Sequence, residues 1–405
     1  MKKATRCRCC GAKNLFLYLN LGKQPLANSY HKKEEKLQEY PLEVLLCQNC
    51  FHSMLSVVIK PALMFKNYLY VSGTTETFQN HCKELAKDAV ARVKKKKIRV
   101  LDIACNDGTQ LEFFKELGCD VYGVDPAGNL REITIKKNIS VIVDYWSKKV
   151  AKKLGKKFNL ITGTNVFAHV DRIDRFLFAC FLALEDDGIL ILEFPYGNNM
   201  IKSNEFDTVY HEHLSYFLIN SFAMLASRSR FHIVDLIQTP IHGGSIRFFL
   251  KKGISSHSDK VTTLIQKEKE SGLFDIQTYK RFAKNVAENR NNLRKLVSDF
   301  KKRGERVIGY GASAKGNTML NYFKLNLEYI VDDNPLKWGF VTPGRNISIE
   351  SPELLQKEKG NLHIIIMSWN FYKEIVKKIK ELRGKKYHDN AILYVPKVTL
   401  NPISQ

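Results

Sequence analysis

The segment Tyr210-His211-Glu212-His213-Leu214-Ser215-Tyr216 packs two imidazoles, a carboxylate and two phenols into seven residues. Imidazole titrates near neutral pH, which makes His213 a candidate general base. Tyr210 is a candidate donor to a developing oxyanion, or the acid that returns a proton to carbon. Glu212 is suited to orient a histidine or to bind substrate. In an extended segment side chains alternate, and His211 would turn to the other face. A metal pair of His211 and His213 is the rival reading, but no further ligands stand nearby in HExxH spacing.

Four cysteines form a second group. Cys7-x-x-Cys10 and Cys47-x-x-Cys50 can supply four thiolates to one tetrahedral zinc, and Gly11 relieves the first knuckle. Such a zinc is structural, because four thiolates leave no open position. Cys9 is a competing thiol with the wrong spacing for a knuckle with Cys7.

Glycine turns form a third group. In VLDIACNDGTQLEFF, Asp102, Ala104, Asn106 and Gly108 follow a strand and open a helix. Methyltransferases of this type prefer an acidic residue followed by alternate glycines; here only Gly108 is glycine. The backbone amides of such a turn suit the carboxylate of S-adenosylmethionine. Asp125 ends the next strand, 23 residues after Asp102, a spacing that suits ribose hydroxyls. Asp144 is a candidate for the adenine amino group, and Asn165 closes a further strand. The full GxGxxG pattern of a nicotinamide site is missing. GYGASAKGNT is a second strand–turn–helix unit, in which Ser313, Lys315 and Asn317 could hold a diphosphate. In HGGSIR, His242 and Arg247 are candidates for phosphate or sugar hydroxyls. His169, in NVFAHV, is a candidate at the meeting point of cofactor and substrate. The rival reading for Arg247 is a solvated side chain after a tight turn, and for His169 a core or capping histidine.

These groups need elements to position them. The expected organisation is a zinc-binding module over residues 1–60, then an α/β domain over 61–255 with a helical lead-in at 61–97. A helical connection over 256–302 and a smaller α/β domain over 303–405 follow. IRVLDIA, VYGVD, FNLITGT and GILILEF are apolar strands alternating with helical patterns, the signature of a parallel Rossmann-like sheet covered on both faces. RVIGYGAS, LEYIVDD and LHIIIMSW repeat the theme at the C-terminus.

The motifs CRCCG, YPLEVLLCQNC, FKNYLYVSGTTET, LDIACNDGTQL, EFPY, EFDTVYHEHLSYF, HGGSIR, GYGASAKGNT and DDNPLKWG run in one order along nearly the whole chain. In this the sequence resembles the bacterial C-methyltransferases of nucleotide-linked 4-keto-6-deoxy sugars. The resemblance implies a zinc-binding N-terminal domain, a central methyltransferase domain that uses S-adenosylmethionine, and a C-terminal domain that helps hold the nucleotide. It also points to Tyr210, Glu212, His213 and a tyrosine of YLYVSG, Tyr70, as catalytic. The implied reaction removes the proton beside the ketone and methylates the resulting enolate.

Composition narrows the alternatives. The 405 residues are 44% hydrophobic and 11% aromatic, enough for a sizeable core. The formal charge of +23 comes from lysines scattered in short runs, so a solvated surface is favoured over nucleic acid. No basic-aromatic stripe for stacking bases is present. Nine cysteines, an odd number, fit a reducing cytoplasm, and no apolar run approaches a membrane span. Nothing in the pattern demands a dimer, and a monomer is expected. Three rivals remain open: a sugar O-methyltransferase, a zinc-ribbon nucleic-acid methyltransferase, and a two-Rossmann oxidoreductase. The sugar, its carrier base and its pathway are not legible.

Overall fold

The computed structural model describes residues 1–33, 35–65, 73, 75–384 and 386–403. Its centre is a seven-stranded sheet. The parallel strands run in the spatial order Ser140–Ile142, Asp120–Val124, Arg99–Ile103, Phe158–Thr164 and Leu184–Pro195. Ser245–Lys252 then adds antiparallel to the last of these, and Phe231–Thr239 forms the edge. The inner strands are near-continuous apolar runs because helices cover both faces. One such helix is Glu76–Ala91, which buries Phe78, Cys82, Leu85, Ala86 and Ala89 at helical spacing. Its N-terminus is capped by the Thr75 hydroxyl, which accepts from the Phe78 amide.

The C-terminal part is a six-stranded sheet. Ile349–Glu350, Ile330–Val331, Arg306–Tyr310, Leu362–Ile366 and Asn390–Leu393 are parallel, and Thr399–Pro402 closes it antiparallel. Ser313 caps the helix Ala314–Phe323 through its hydroxyl. In sequence, helices Asp259–Glu270 and Ile276–Lys302 lie between the last strand of the first sheet and the first strand of the second.

The long helix is more than a connection. Tyr279, Phe282, Val286, Asn289, Leu293, Val297 and Phe300 are buried at three- and four-residue steps along one face. That face shares one continuous core with Tyr18, Leu42 and Leu46 near the N-terminus and with Val307, Leu320 and Ile365 of the C-terminal sheet. First and last parts of the chain are thus welded through it.

The N-terminal cysteine region forms a four-stranded antiparallel sheet, in the order Leu15–Gln24, Tyr40–Cys47, Ser53–Leu55 and Ser215–Tyr216. The fourth strand comes from the YHEHLSY segment, about 160 residues downstream. The segment that carries the candidate catalytic groups is therefore built into the cysteine module.

Candidate active site

The residues before that strand turn rather than extend. The His213 amide donates to the Tyr210 carbonyl at 2.9 Å, which brings the two side chains to the same side. The alternation expected for an extended segment is replaced by an i, i+3 pairing. The Tyr210 hydroxyl lies 2.7 Å from His213 Nε2, and His213 Nδ1 lies 2.8 Å from the Thr208 carbonyl oxygen. A carbonyl can only accept, so Nδ1 carries the proton. In the neutral ring Nε2 then keeps its lone pair and accepts from the Tyr210 hydroxyl. A neutral imidazole held in this tautomer has its basic nitrogen aimed at a phenol.

Three neighbours complete the cluster. The His169 ring centre is 5.0 Å from that of His213, and crowded surroundings pull His169 down to about 4. Glu212 is buried, and its Oε1 accepts from Asn28 Nδ2 at 2.6 Å. His211 turns away and donates through Nε2 to the Pro41 carbonyl at 3.2 Å. Burial pulls it to about 4 as well. It forms no metal pair with His213: among the described residues, the single group of three or more potential ligands is Cys7, Cys10, Cys47 and Cys50.

Those four sulfurs lie within 4.8 Å of one another. Cys7 Sγ to Cys50 Sγ and Cys10 Sγ to Cys47 Sγ are each 3.5 Å. Metal–sulfur bonds of about 2.3 Å give a tetrahedron with edges of about 3.8 Å, so the set fits zinc. Cys9 is fully buried and stands outside it.

The cofactor turn lies at the carboxyl end of the central strand Arg99–Ile103. Ala104, Asn106 and Gly108 have φ of 61°, 51° and 78°. The alternate-glycine conformation is therefore kept although two glycines are absent. Asparagine enters this left-handed region readily; alanine does so at a cost of about 1 kcal/mol. Asp125 accepts the Asn106 amide on Oδ2 and the Ala127 amide on Oδ1, both at 2.8 Å. A carboxylate offers about four lone-pair sites, so capacity remains for ribose hydroxyls. Asp102 accepts from Thr162 Oγ1 at 2.7 Å and Gln110 Nε2 at 3.3 Å, and burial raises it to about 7. Asp144 is exposed beyond the next strand and accepts the Tyr145 amide. Asn165, at φ 56°, donates its amide to the Glu193 carbonyl at 2.8 Å. These conformations and acceptors fit S-adenosylmethionine.

Known proteins match this chain in three consecutive blocks. Family models for a zinc binding domain, a methyltransferase domain and a C-methyltransferase C-terminal domain match residues 7–65, 78–236 and 240–396. The C-methyltransferase NovU of Streptomyces niveus is 30% identical over 389 residues, covering 93% of this chain and 92% of its own length. This chain belongs to the C-methyltransferase family. It is an S-adenosylmethionine-dependent C-methyltransferase with a zinc-binding module. Ubiquinone biosynthesis O-methyltransferase of Rhodopseudomonas palustris is 27% identical over 114 residues, 27% of this chain and 45% of that protein. Among solved structures, magnesium protoporphyrin IX methyltransferase of Synechocystis with bound SAM aligns over 43% of this chain and 79% of its own. The TM-score is 0.35 and the identity 14%.

Other candidates of this C-methyltransferase sit differently from expectation. Arg247 is buried, and its Nε donates to Glu193 Oε2 at 2.7 Å. Its Nη2 lies 3.3 Å from His81 Nε2, which in turn is 2.6 Å from Glu193 Oε1. Arg247 is therefore not a solvated side chain but part of a buried ion cluster, because Glu193 faces it across the strand pair. Asn317 is fully buried, and its Nδ2 braces the N-terminal loop at the Ala27 carbonyl (2.8 Å). Ser313 serves as the helix cap described above. Lys315 Nζ stands 4.2 Å over the Trp369 ring. A side chain at Gly243, which has φ 92°, would crowd Trp369, Glu205 and Lys315. Burial lifts Glu205 to about 7. His242 lies in the same short turn, Ile241–Gly243. Tyr70 lies outside the described residues.

Sequence reasoning missed Asn28, Thr208, Glu205 and the Glu193–His81 partners. Asn28 sits in a loop with no motif of its own and meets Glu212 only through the fold. Glu193 carried a signal, a charged residue ending an apolar strand in EFPY.

Proposed function

We propose that this C-methyltransferase acts on a nucleotide-linked 4-keto-6-deoxy sugar, with His213 as the base that removes the proton beside the ketone. The observation that carries the reading is the His213 tautomer. The Thr208 carbonyl lies 2.8 Å from Nδ1, and Nε2 of the buried His213 faces the Tyr210 hydroxyl. Carbon methylation needs a carbanion equivalent, and an α-keto C–H is one that imidazole can ionise. Bound S-adenosylmethionine supplies an electrophilic methyl to that carbon. The C3–H electron pair becomes the enolate, the proton goes to His213 Nε2, and the Tyr210 hydroxyl turns to the ketone oxygen as charge develops there. Glu212, fixed by Asn28, holds a sugar hydroxyl. His169, neutral at pH 7, packs beside the base and keeps water out. The resemblance adds Tyr70 as a further catalytic residue. Lys315, beside the Gly243 turn, attracts the diphosphate.

The test is incubation with S-adenosylmethionine and a panel of 4-keto-6-deoxy nucleotide sugars in deuterated water, read by mass. One sugar should gain a methylene mass, and His213→Ala should gain none and exchange no C3 hydrogen. Exchange without methylation would keep the enolising site and move the sugar. A methyl gained on oxygen with no C3 exchange would mean a sugar O-methyltransferase, and the C3 reading would be wrong.

A further inference from the structure

Leu214 follows His213 directly, and both its backbone groups are used by other parts of the molecule. Its amide donates to the Ala168 carbonyl at 2.8 Å, beside His169. Its carbonyl accepts twice: from the Leu55 amide at 3.1 Å and from Arg8 Nη1 at 3.0 Å. Arg8 stands between Cys7 and Cys10, inside the first knuckle. Its side chain is 5% exposed, and Nη1 also reaches the Leu55 carbonyl at 3.2 Å. Asp171 aims the guanidinium from the other side, 3.4 Å from Nε. The second knuckle repeats the link. His52, two residues past Cys50, lies 3.2 Å through Nε2 from Ser215 Oγ.

We propose that Arg8 is a positioning residue for His213, through which the metal-bound knuckle sets the geometry of the methyl-transfer site. The inference rests on His213 being the base. A zinc held by Cys7 and Cys10 would fix the backbone of the arginine between them, and the charged fork of Arg8 is 5% exposed, with almost no solvent to turn to. The group it holds is the carbonyl of the residue after the base, where the His213 turn enters the strand Ser215–Tyr216, so a small relaxation of the knuckle becomes a displacement of imidazole. Displacements of about 1 Å cost about a hundredfold in rate where reacting groups must align.

The experiment uses the full-length, zinc-loaded protein with Arg8→Ala, Arg8→Lys and Asp171→Asn. Zinc content is read by native mass spectrometry and S-adenosylmethionine affinity by calorimetry. Histidine nitrogen NMR of the ligand-free protein is read alongside, with the His213 signal identified by its loss in His213→Gln. Arg8→Ala should keep one zinc and its cofactor affinity, and hold KM for the sugar within about twofold. Its kcat and C3 deuterium exchange should fall about ten- to a hundredfold, and the His213 nitrogen signals should move. Arg8→Lys should recover part of kcat. If Arg8→Ala loses zinc, Asp171→Asn and Arg8→Lys decide: reduced kcat with full zinc and a moved His213 signal supports the role. Unchanged kcat and unchanged His213 signals in zinc-loaded variants overturn it. If wild type turns over no keto sugar, the substrate reading fails, and the His213 signal still decides the role of Arg8.

Discussion

The Tyr210–His213 pair shows how much one carbonyl decides. Had Nδ1 faced a donor, Nε2 would carry the proton and could not act as a base. Replacing Tyr210 with phenylalanine should leave the imidazole in place and remove only the hydroxyl. A fall in kcat of about tenfold or more, with little change in cofactor affinity by calorimetry, is the expected outcome. Ala104 gives a stability prediction. Its left-handed backbone favours glycine, so Ala104→Gly should raise stability by about 1 kcal/mol in urea unfolding while keeping cofactor binding. Asp102 gives a pH prediction. Burial raises it to about 7, so the folded chain keeps a proton that the unfolded chain loses near pH 4. That contribution to stability is full below the ordinary carboxylate range, falls as pH rises from about 4, and is gone above about 7. Melting temperatures of wild type and Asp102→Asn should therefore diverge over that window, the wild type losing ground as pH rises.

At the scale of elements, the same residue type serves different ends according to what packs beside it. From sequence, Ser313 is a candidate diphosphate ligand because it opens a helix after a glycine turn. In the fold its hydroxyl accepts the Gly316 amide at 3.1 Å, an N-cap. Ser313→Ala should cost about 1 kcal/mol of stability, read by thermal unfolding, and leave KM for the proposed sugar nucleotide within about twofold. Lys315, two residues on, should behave the other way: Lys315→Gln should raise KM with stability unchanged. Farther along, Arg383 and Asp389 form a buried pair joined by two hydrogen bonds of 2.8 and 3.0 Å. Leu355 also accepts from this guanidinium. Removing the carboxylate leaves an uncompensated buried charge. Asp389→Ala should lower the unfolding free energy by about 3–5 kcal/mol.

Over the whole molecule, three regions distant in sequence meet at one site. The cysteine module supplies Asn28 and Arg8, the central domain His169 and the turn from Thr208 to His213, and the C-terminal domain Lys315 and Trp369. Because the cysteine module shares a sheet with the strand Ser215–Tyr216 and a core with the long helix, chelating zinc should lower the melting temperature of the whole chain. Calorimetry should record one displaced transition rather than the loss of a small separate one. The sequence by itself determined the local units: paired cysteines, strand–turn–helix periodicity, and the acidic residues ending the strands at the cofactor turn. These are legible because their physics is short-range, set by neighbours within a few residues. Only the tertiary structure decided that YHEHLSY turns and then pairs with the cysteine module, that Arg247 faces Glu193, and that Asn317 is buried against Ala27. Such outcomes depend on which distant backbone and side-chain groups arrive alongside, and a buried polar group must take whichever partner the fold brings to it.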